Sequence, residues 1–233
     1  MQEIAANLAA VRARIGAACV AAGRPADAVR LLPVTKTRST REIRAAHAAG
    51  CSRFGENRAQ EACDKASELS GVPGLEWVMI GHLQSNKARL VAGFASEFQA
   101  LDSLPLAAEL DRRLHAAGRQ LDVLVQVNSS GEDSKFGLSP REVPAFAKAL
   151  APFDALRVRG LMTIALPSTE NALVAACFER MLDVQRRVRD VSPPGQRWDE
   201  LSMGMSGDFE LAIAHGATVV RIGTAIFGAR PQP

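Results

Sequence analysis

A lysine between two threonines follows the first strongly apolar run of the chain. Residues 29–38 read VRLLPVTKTR, and the lysine is Lys36. Removing an ammonium group from water costs free energy or lowers its pKa, and an amine desolvated in this way becomes a nucleophile that can form a Schiff base with a carbonyl. Pyridoxal phosphate and aldolase substrates are the commonest such carbonyls. The alternative is that Lys36 only marks the end of a strand and extends into water.

Two short segments near the end of the sequence have the composition of a phosphate site. Ser206 precedes a predicted helix over residues 208–215, whose free N–H groups and positive dipole end would favour an anion. Gly223 allows the backbone to approach a ligand closely, and Thr224 adds a hydroxyl. Taken singly, each segment could be an ordinary helix cap or turn. Together with Lys36 they predict a phosphate-bearing cofactor.

Arg221 lies two residues before Gly223 and therefore on the same face of a strand. A buried guanidinium needs a hydrogen-bond acceptor. If the ligand is pyridoxal phosphate, the pyridine nitrogen is that acceptor, and a permanent cation there keeps the nitrogen unprotonated and weakens the ring as an electron sink. The alternative is an ion pair with a barrel carboxylate such as Glu56 or Asp102.

Three further polar residues are candidates for the same site. Asn57 either hydrogen-bonds the ring hydroxyl or caps the following helix, and His82 either lines the site or fixes the turn before Ser85. Lys135 is a second amine in a loop near the same place, although most loop lysines are solvated. We favour Asn57 as a ligand contact and do not include His82.

The elements that must position these residues alternate between short apolar runs and helical patterns. After an N-terminal helix near residues 3–22, eight strands are predicted at 30–36, 53–57, 76–81, 97–101, 122–128, 158–164, 200–205 and 219–222. Helical patterns begin near residues 40, 58, 85, 104, 139, 169 and 208. This alternation predicts an α/β fold, a single (β/α)₈ TIM barrel with an extra N-terminal helix, rather than a doubly wound sheet. In such a barrel the carboxyl ends of the strands form the functional site.

The composition limits the classes of function. The 233 residues are 47% hydrophobic and 23% charged, enough for one large core, so we expect a single domain over residues 1–233. A net charge of +3 with a pI near 8.9 is too small an excess to indicate nucleic-acid binding. The densest basic run, Arg186, Arg187 and Arg189, is predicted to be the solvated face of a helix.

The cysteines and the N-terminus indicate a cytoplasmic protein. The four cysteines are Cys19, Cys51, Cys63 and Cys177. They form no CxxC pair and no zinc-type spacing, which predicts reduced thiols and no metal site. Charged residues interrupt the amphipathic N-terminal pattern, and no eighteen apolar residues follow one another, so we expect neither a signal peptide nor a membrane span.

Six ordered motifs carry a family resemblance. They are VTKT at 34–37, FGEN at 54–57, IGHLQSNK at 80–87, GLMT at 160–163, LSMGMS at 201–206 and VRIGTAIFG at 220–228. On these motifs the chain resembles the pyridoxal-phosphate-binding homeostasis proteins, the YggS/PROSC family, over nearly its whole length. Two departures lie outside the expected cofactor contacts: residues 77–79 read WVM where members often have Trp-His before the Ile-Gly, and Phe136 stands where a small residue is usual. In a third departure, Arg58 stands where many members have tyrosine.

The resemblance implies a fold type III barrel like the N-terminal domain of alanine racemase, with pyridoxal 5′-phosphate as cofactor. It implies that Lys36 holds the cofactor as a Schiff base and that Asn57 lies beside the ring. Arg221 would face the pyridine nitrogen. The phosphate end would be lined by Met203, Ser206, Gly223 and Thr224.

The resemblance also implies that the two-base racemase reaction requires a tyrosine from an additional β domain. This sequence contains no tyrosine, and we expect no second domain after the eighth strand. We therefore expect a non-catalytic, monomeric protein that holds pyridoxal phosphate and buffers it or delivers it transiently to apo-enzymes. The alternatives are an amino-acid racemase of low activity and a Schiff-base aldolase.

Overall fold

The computed structural model describes residues 2–132 and 136–229, in which helices and strands alternate. The strands are β1 Arg30–Pro33, β2 Arg53–Glu56, β3 Glu76–Met79, β4 Glu97–Leu101, β5 Leu121–Gln126, β6 Leu156–Met162, β7 Glu200–Ser202 and β8 Val219–Ile222. The helices are α1 Gln2–Ala21, α2 Thr40–Ala48, α3 Ala59–Glu68, α4 Ala88–Phe94, α5 Leu104–Ala117, α6 Val143–Ala149, α7 Asn171–Arg189, α8 Phe209–Ala214 and α9 Thr224–Phe227. A short 3-10 turn, Ser85–Lys87, precedes α4.

The eight strands form one parallel sheet in the order β1-β8-β7-β6-β5-β4-β3-β2. The two edge strands meet beyond the end of β1, where Val34 forms a parallel bridge with Gly55 and the Thr35 amide donates to the Gly55 carbonyl at 2.9 Å. This contact closes the barrel, which confirms the predicted (β/α)₈ fold. The closing contact lies immediately before Lys36.

Several predicted boundaries were wrong, mainly at the carboxyl ends of strands. β1 ends at Pro33 rather than at Lys36, and β7 ends at Ser202 rather than at Met205. Single backbone hydrogen bonds to the neighbouring strands continue for one or two residues beyond these ends, as at Val34 and Met203, but the regular strands stop there, so most of the candidate site residues lie in loops. Helix α6 begins at Val143, four residues after the predicted start, and α9 was not predicted.

Local sequence signals explain where two of the outer helices begin and end. Ser39 and Glu42 form a reciprocal capping box at the start of α2, and Ile43 on its buried face packs into the core. Helix α5 has a proline in its first turn and ends at Gly118, which adopts a left-handed conformation with φ of 62°.

The core has two layers. The larger layer lies between the strands and the surrounding helices, whereas the apolar cluster inside the barrel consists of Leu32, Val78 and Val219 with Ile80 packed against them. Below this cluster, at the amino ends of the strands, Arg30 contacts Glu97 at 3.1 Å and Glu200 at 2.9 Å. The barrel interior is therefore charged at the amino ends of the strands, around Arg30, Glu97 and Glu200, and we call this end the floor. The opposite end, at the carboxyl ends of the strands, is polar and is called the mouth.

Helix α1 lies outside the barrel and packs against α2, α8 and α9. Leu8, Val11, Ile15 and Cys19 form its buried face. By length and composition alone this helix could cross a membrane, a property shared with core helices of soluble proteins and with signal sequences. In this structure its apolar face packs against these three outer helices.

Candidate functional site

A cavity of about 330 Å³ opens at the carboxyl ends of the strands. Its lining consists of Val34, Lys36, Arg38, Asn57, Ile80, Ile164, Met205, Ser206, Gly207, Arg221, Gly223 and Thr224. Three of these twelve described residues are cations and none is a carboxylate. The cavity is therefore the size of a small-molecule site and suits an anionic ligand.

Lys36 is half-buried in a turn that directly follows the barrel closure. The next residue, Thr37, has a φ of 63°, and among the described residues it is the only non-glycine residue with a positive φ. A β-branched residue reaches this region only at an energetic cost, so neighbouring contacts must hold it. The Thr37 amide donates to Glu61 Oε1 at 2.6 Å, which supplies such a contact.

The support beneath this turn is Lys65, which the sequence analysis missed. Its Nζ donates to the Thr35 carbonyl, to Glu56 Oε1 and to Glu61 Oε1, each at 2.7 Å. Burial raises the pKa of Glu56 despite hydrogen bonds from Lys65 and Thr35. Burial also acts to raise the pKa of Glu61, but the hydrogen bonds from Lys65 and Thr37 outweigh it and the pKa is lowered. This group ties α3 to the segment that carries Lys36.

Arg221 enters the cavity from β8, and only 4% of its surface is exposed. Its guanidinium donates to Ser202 Oγ at 2.8 Å and to the Thr163 carbonyl at 2.7 Å. These bonds use two of five N–H groups, which leaves donors for a ligand. Neither carboxylate considered as an ion-pair partner fills that role, because Glu56 accepts from Lys65 and Asp102 lies 3.6 Å from His82.

Burial lowers the pKa of Arg221 to about 10, and the charge of Asp208 partly opposes this effect. Arg221 therefore remains a cation at neutral pH.

Asn57 lies at the mouth directly after β2 and lines the cavity. It does not cap α3, whose cap position is Arg58. Its Oδ1 atom is buried and has no hydrogen-bond partner among residues 2–132 and 136–229. A β-carbon at Gly81 would lie 2.2 Å from the Asn57 carbonyl oxygen, so glycine is required for the loops after β2 and β3 to meet here. The orphaned amide oxygen fits a ligand that offers a hydroxyl donor.

The two predicted phosphate segments meet on one side of the cavity. Ser206 and Gly207 follow β7, and Gly223 and Thr224 follow β8. A β-carbon at Gly223 would lie 3.2 Å from the Val34 carbonyl oxygen, which explains a glycine at that position. The predicted helix over 208–215 is shorter than expected, because α8 has only six residues. Small side chains and hydroxyls, rather than a long helix dipole, therefore characterise this side.

Met203 is the predicted site residue that the structure places elsewhere. It is fully buried in the core layer outside the barrel and does not line the cavity, whereas Met205 does. The chain leaves β7 after Ser202, and Gly204 has a φ of 95°, so the alternation of a strand does not continue to residue 205.

Arg38 is a cavity residue that the sequence analysis did not select. It lies two residues after Lys36, and its guanidinium donates to the carbonyl groups of Gly228 at 2.6 Å and Ala229 at 3.0 Å. The cation therefore connects the Lys36 turn with the segment that follows α9. A second basic residue in the VTKTR segment was the available sequence signal.

The candidate His82 lies outside the cavity lining. His82 stacks on Phe136 with ring centroids 4.0 Å apart and lies beside Asp102, so it supports the rim. Burial raises the pKa of Asp102, although the charge of His82 and its hydrogen bond act to lower it. Lys135 lies outside the described residues.

Two groups that could suggest metal or redox chemistry lie away from this cavity. The ligand atoms of Asp111, His115 and Asp154 lie within 4.8 Å of one another, but His115 already contacts Asp154 at 2.9 Å and Asp111 at 3.3 Å. This group is therefore a surface ion-pair cluster. All four cysteines are free thiols.

Comparisons with known proteins agree on the family. The family model described as "Alanine racemase, N-terminal domain" matches residues 1–231. The chain is 46% identical over 230 residues to a Pseudomonas aeruginosa protein named "Pyridoxal phosphate homeostasis protein", which covers 99% of this chain and 97% of that protein.

Solved structures show the same barrel. PipY of Synechococcus elongatus, solved with PLP bound, matches with a TM-score of 0.82 and 36% identity over 97% of this chain and all of that one. Alanine racemase from Streptomyces coelicolor matches with a TM-score of 0.72 and 22% identity over 97% of this chain but 60% of the racemase. The racemase comparison concerns the fold alone. The chain belongs to the alanine racemase N-terminal domain family, and its nearly full-length similarity within that family is to the pyridoxal phosphate homeostasis proteins.

Proposed function

We propose that this chain binds pyridoxal 5′-phosphate through a Schiff base on Lys36 and serves to hold, buffer and deliver it. The observation that carries the proposal is one cavity that brings together an amine, two guanidinium groups, and small and hydroxyl residues of two loops. The relatives named as pyridoxal phosphate homeostasis proteins and the structure of PipY with PLP bound support this assignment.

Each part of the cavity fits a part of this ligand. Lys36 would supply the amine that holds the ligand through its aldehyde carbon. Ser206, Gly207, Gly223 and Thr224 would surround the phosphate, and Arg38 adds positive charge to the lining. Asn57 would accept from the ring hydroxyl, and Arg221 would donate to the ring nitrogen. When bound, the cofactor supplies an electrophilic carbon and a conjugated ring to the site.

The absorption spectrum of the purified protein with added pyridoxal phosphate tests this proposal. We expect a visible band that borohydride reduction abolishes, with the reduced adduct mapped to the peptide that contains Lys36. Lys36→Ala should lack the band, whereas Lys148→Ala, at an exposed position of α6, should retain it. A protein that stays colourless, or an adduct that maps to another lysine, would overturn the assignment.

We further propose that the protein holds the cofactor without turning over amino acids, as a monomer in the cytoplasm that transfers it transiently to apo-enzymes. The lining supports this because Lys36 is its one amine and it holds no carboxylate, histidine or tyrosine among the described residues, so it offers no second side chain of a usual acid–base type. Incubation with L-alanine in deuterated water should leave the α-proton in place. Deuterium incorporation together with formation of D-alanine would instead indicate a racemase of low activity.

A further inference from the structure

A continuous file of hydrogen bonds leads from Arg221 down through the interior of the barrel. Arg221 donates to Ser202 Oγ at 2.8 Å, the Ser202 hydroxyl donates to Gln99 Oε1 at 2.7 Å, and Gln99 Nε2 donates to Glu97 Oε1 at 2.5 Å. Ser202 and Gln99 are fully buried, and Glu97 is 3% exposed. The cavity is thereby connected to the charged floor of the barrel.

Strand alternation brings these residues into one file. Glu97 and Gln99 are two residues apart on β4, and Ser202 on β7 pairs with Val219, two residues before Arg221 on β8. Branched apolar residues usually fill the interior of such barrels. Burying a chain of polar side chains costs desolvation free energy, which is offset only if each polar group is hydrogen-bonded. Apolar side chains at these positions would therefore stabilise the barrel equally well.

The direction of each hydrogen bond in the file is determined from the floor upward. The amide nitrogen of Gln99 must face Glu97, because the reverse orientation would place its oxygen against a carboxylate. Its oxygen therefore faces Ser202 and accepts the single hydroxyl proton. The lone pairs of the Ser202 oxygen then face Arg221, whose guanidinium has only N–H donors and requires an acceptor. Glu97 is itself held by Arg30 at 3.1 Å and Arg53 at 3.5 Å.

We propose that Gln99 is a positioning residue that, through Ser202, aims the guanidinium of Arg221 into the ligand cavity. The Thr163 carbonyl fixes a second edge of the guanidinium at 2.7 Å, so Ser202 and Thr163 together determine its plane. Without Gln99 the Ser202 hydroxyl can rotate its proton toward the cation, and that edge loses its acceptor. The inference rests on the proposed function for its effect on ligand binding, but the orientation of Arg221 is a property of the protein alone.

Two readouts separate positioning from general stability. The first is the ¹⁵N–¹H signal of Arg221 Nε in the ligand-free protein, assigned with Arg221→Lys. The second is the dissociation constant for pyridoxal phosphate. Gln99→Met keeps the side-chain length but removes both hydrogen bonds, and we expect it to shift the Arg221 signal and weaken binding by about tenfold, the loss of one hydrogen bond to a charged group.

Matched variants complete the test. Gln185→Met makes the same change at a buried glutamine of α7, which donates to the Trp198 carbonyl outside the barrel, and should move neither readout. Ser202→Ala should change both readouts in the same way as Gln99→Met. It serves as the test variant if Gln99→Met does not fold.

The decisive comparison combines two changes. If Gln99 acts through Arg221, adding Gln99→Met to Arg221→Lys should weaken binding much less than it does in the wild-type background. An equal effect in both backgrounds, or an unmoved Arg221 signal in folded Gln99→Met, would overturn the proposal. Failure of the wild-type protein to bind pyridoxal phosphate would instead refute the proposed function, and the ligand-free signal would still decide the role of Gln99.

Discussion

Replacing Lys65 by methionine should both destabilise the protein and weaken its hold on the ligand. The amine makes three hydrogen bonds of 2.7 Å, and its side chain is 9% exposed while that of Glu56 is fully buried. Methionine preserves most of the volume but leaves a buried carboxylate without its cation. Removing one partner of a buried ion pair costs about 3–5 kcal/mol. Because Glu56 keeps its hydrogen bond from Thr35, we expect a loss at the lower end of this range, about 3 kcal/mol at pH 7.

The pH dependence of this loss identifies its cause. Burial raises the pKa of Glu56 in the folded state, and removal of Lys65 should raise it further. At a pH between the pKa of Glu56 in the unfolded chain and its higher pKa in the folded protein, the folded protein keeps a proton that the unfolded chain has released. The free energy of unfolding therefore falls as the pH rises through this range. The difference between Lys65→Met and wild type should therefore grow from pH 5 to pH 7. Urea denaturation at several pH values measures it.

The matched control is Lys148→Met, the same change at an exposed position of α6, which should alter stability by no more than about 0.5 kcal/mol. Because Lys65 also holds the Thr35 carbonyl and the Glu61 acceptor of Thr37, we expect Lys65→Met to weaken pyridoxal phosphate binding by roughly tenfold. Equal costs for the two lysines, or a loss independent of pH, would refute the reasoning.

Two backbone positions give further predictions. Gly81→Ala would place a β-carbon 2.2 Å from the Asn57 carbonyl oxygen and should cost about 1–3 kcal/mol in urea denaturation, whereas Gly93→Ala, in α4 with nothing near its added β-carbon, should stabilise by about 0.5–1 kcal/mol. Similar effects at both glycines would contradict the close approach. Thr37→Asn should raise the stability by up to about 1 kcal/mol, since asparagine tolerates a φ of 63° better than a β-branched residue; a loss would mean that the threonine side chain itself contributes.

The parts of the site that follow strand ends could be predicted from the sequence. Lys36, Arg221 and Thr224 line one cavity because parallel strands of a barrel all deliver their carboxyl ends to the same mouth. The choice between Met203 and Met205 could not be made in this way. Strand parity holds only within a strand, and β7 ends before both residues.

Lys65 shows a signal that was present but not used. It lies three residues after Ala62 and four before Leu69, so all three share the face of α3 that is buried. A lysine on an apolar face needs acceptors, and Glu61, four residues earlier, supplies one. The bond between Ser202 and Gln99 is different, because it joins residues 103 positions apart through the barrel interior. No local pattern specifies such a pair.

The lining of the cavity also bears on why holding and turnover can be separated in this fold. Inverting an α-carbon by two bases requires proton-exchanging groups on opposite faces of the substrate. Lys36 can provide one, but Arg221, with a pKa of about 10, keeps its proton at neutral pH. The other described lining residues are apolar, amide or hydroxyl groups, or a second arginine. Such a lining suits the proposed role, in which Lys36 would hold an anionic aldehyde, because the described lining pairs its one amine with cations and hydroxyls rather than with a second acid–base group.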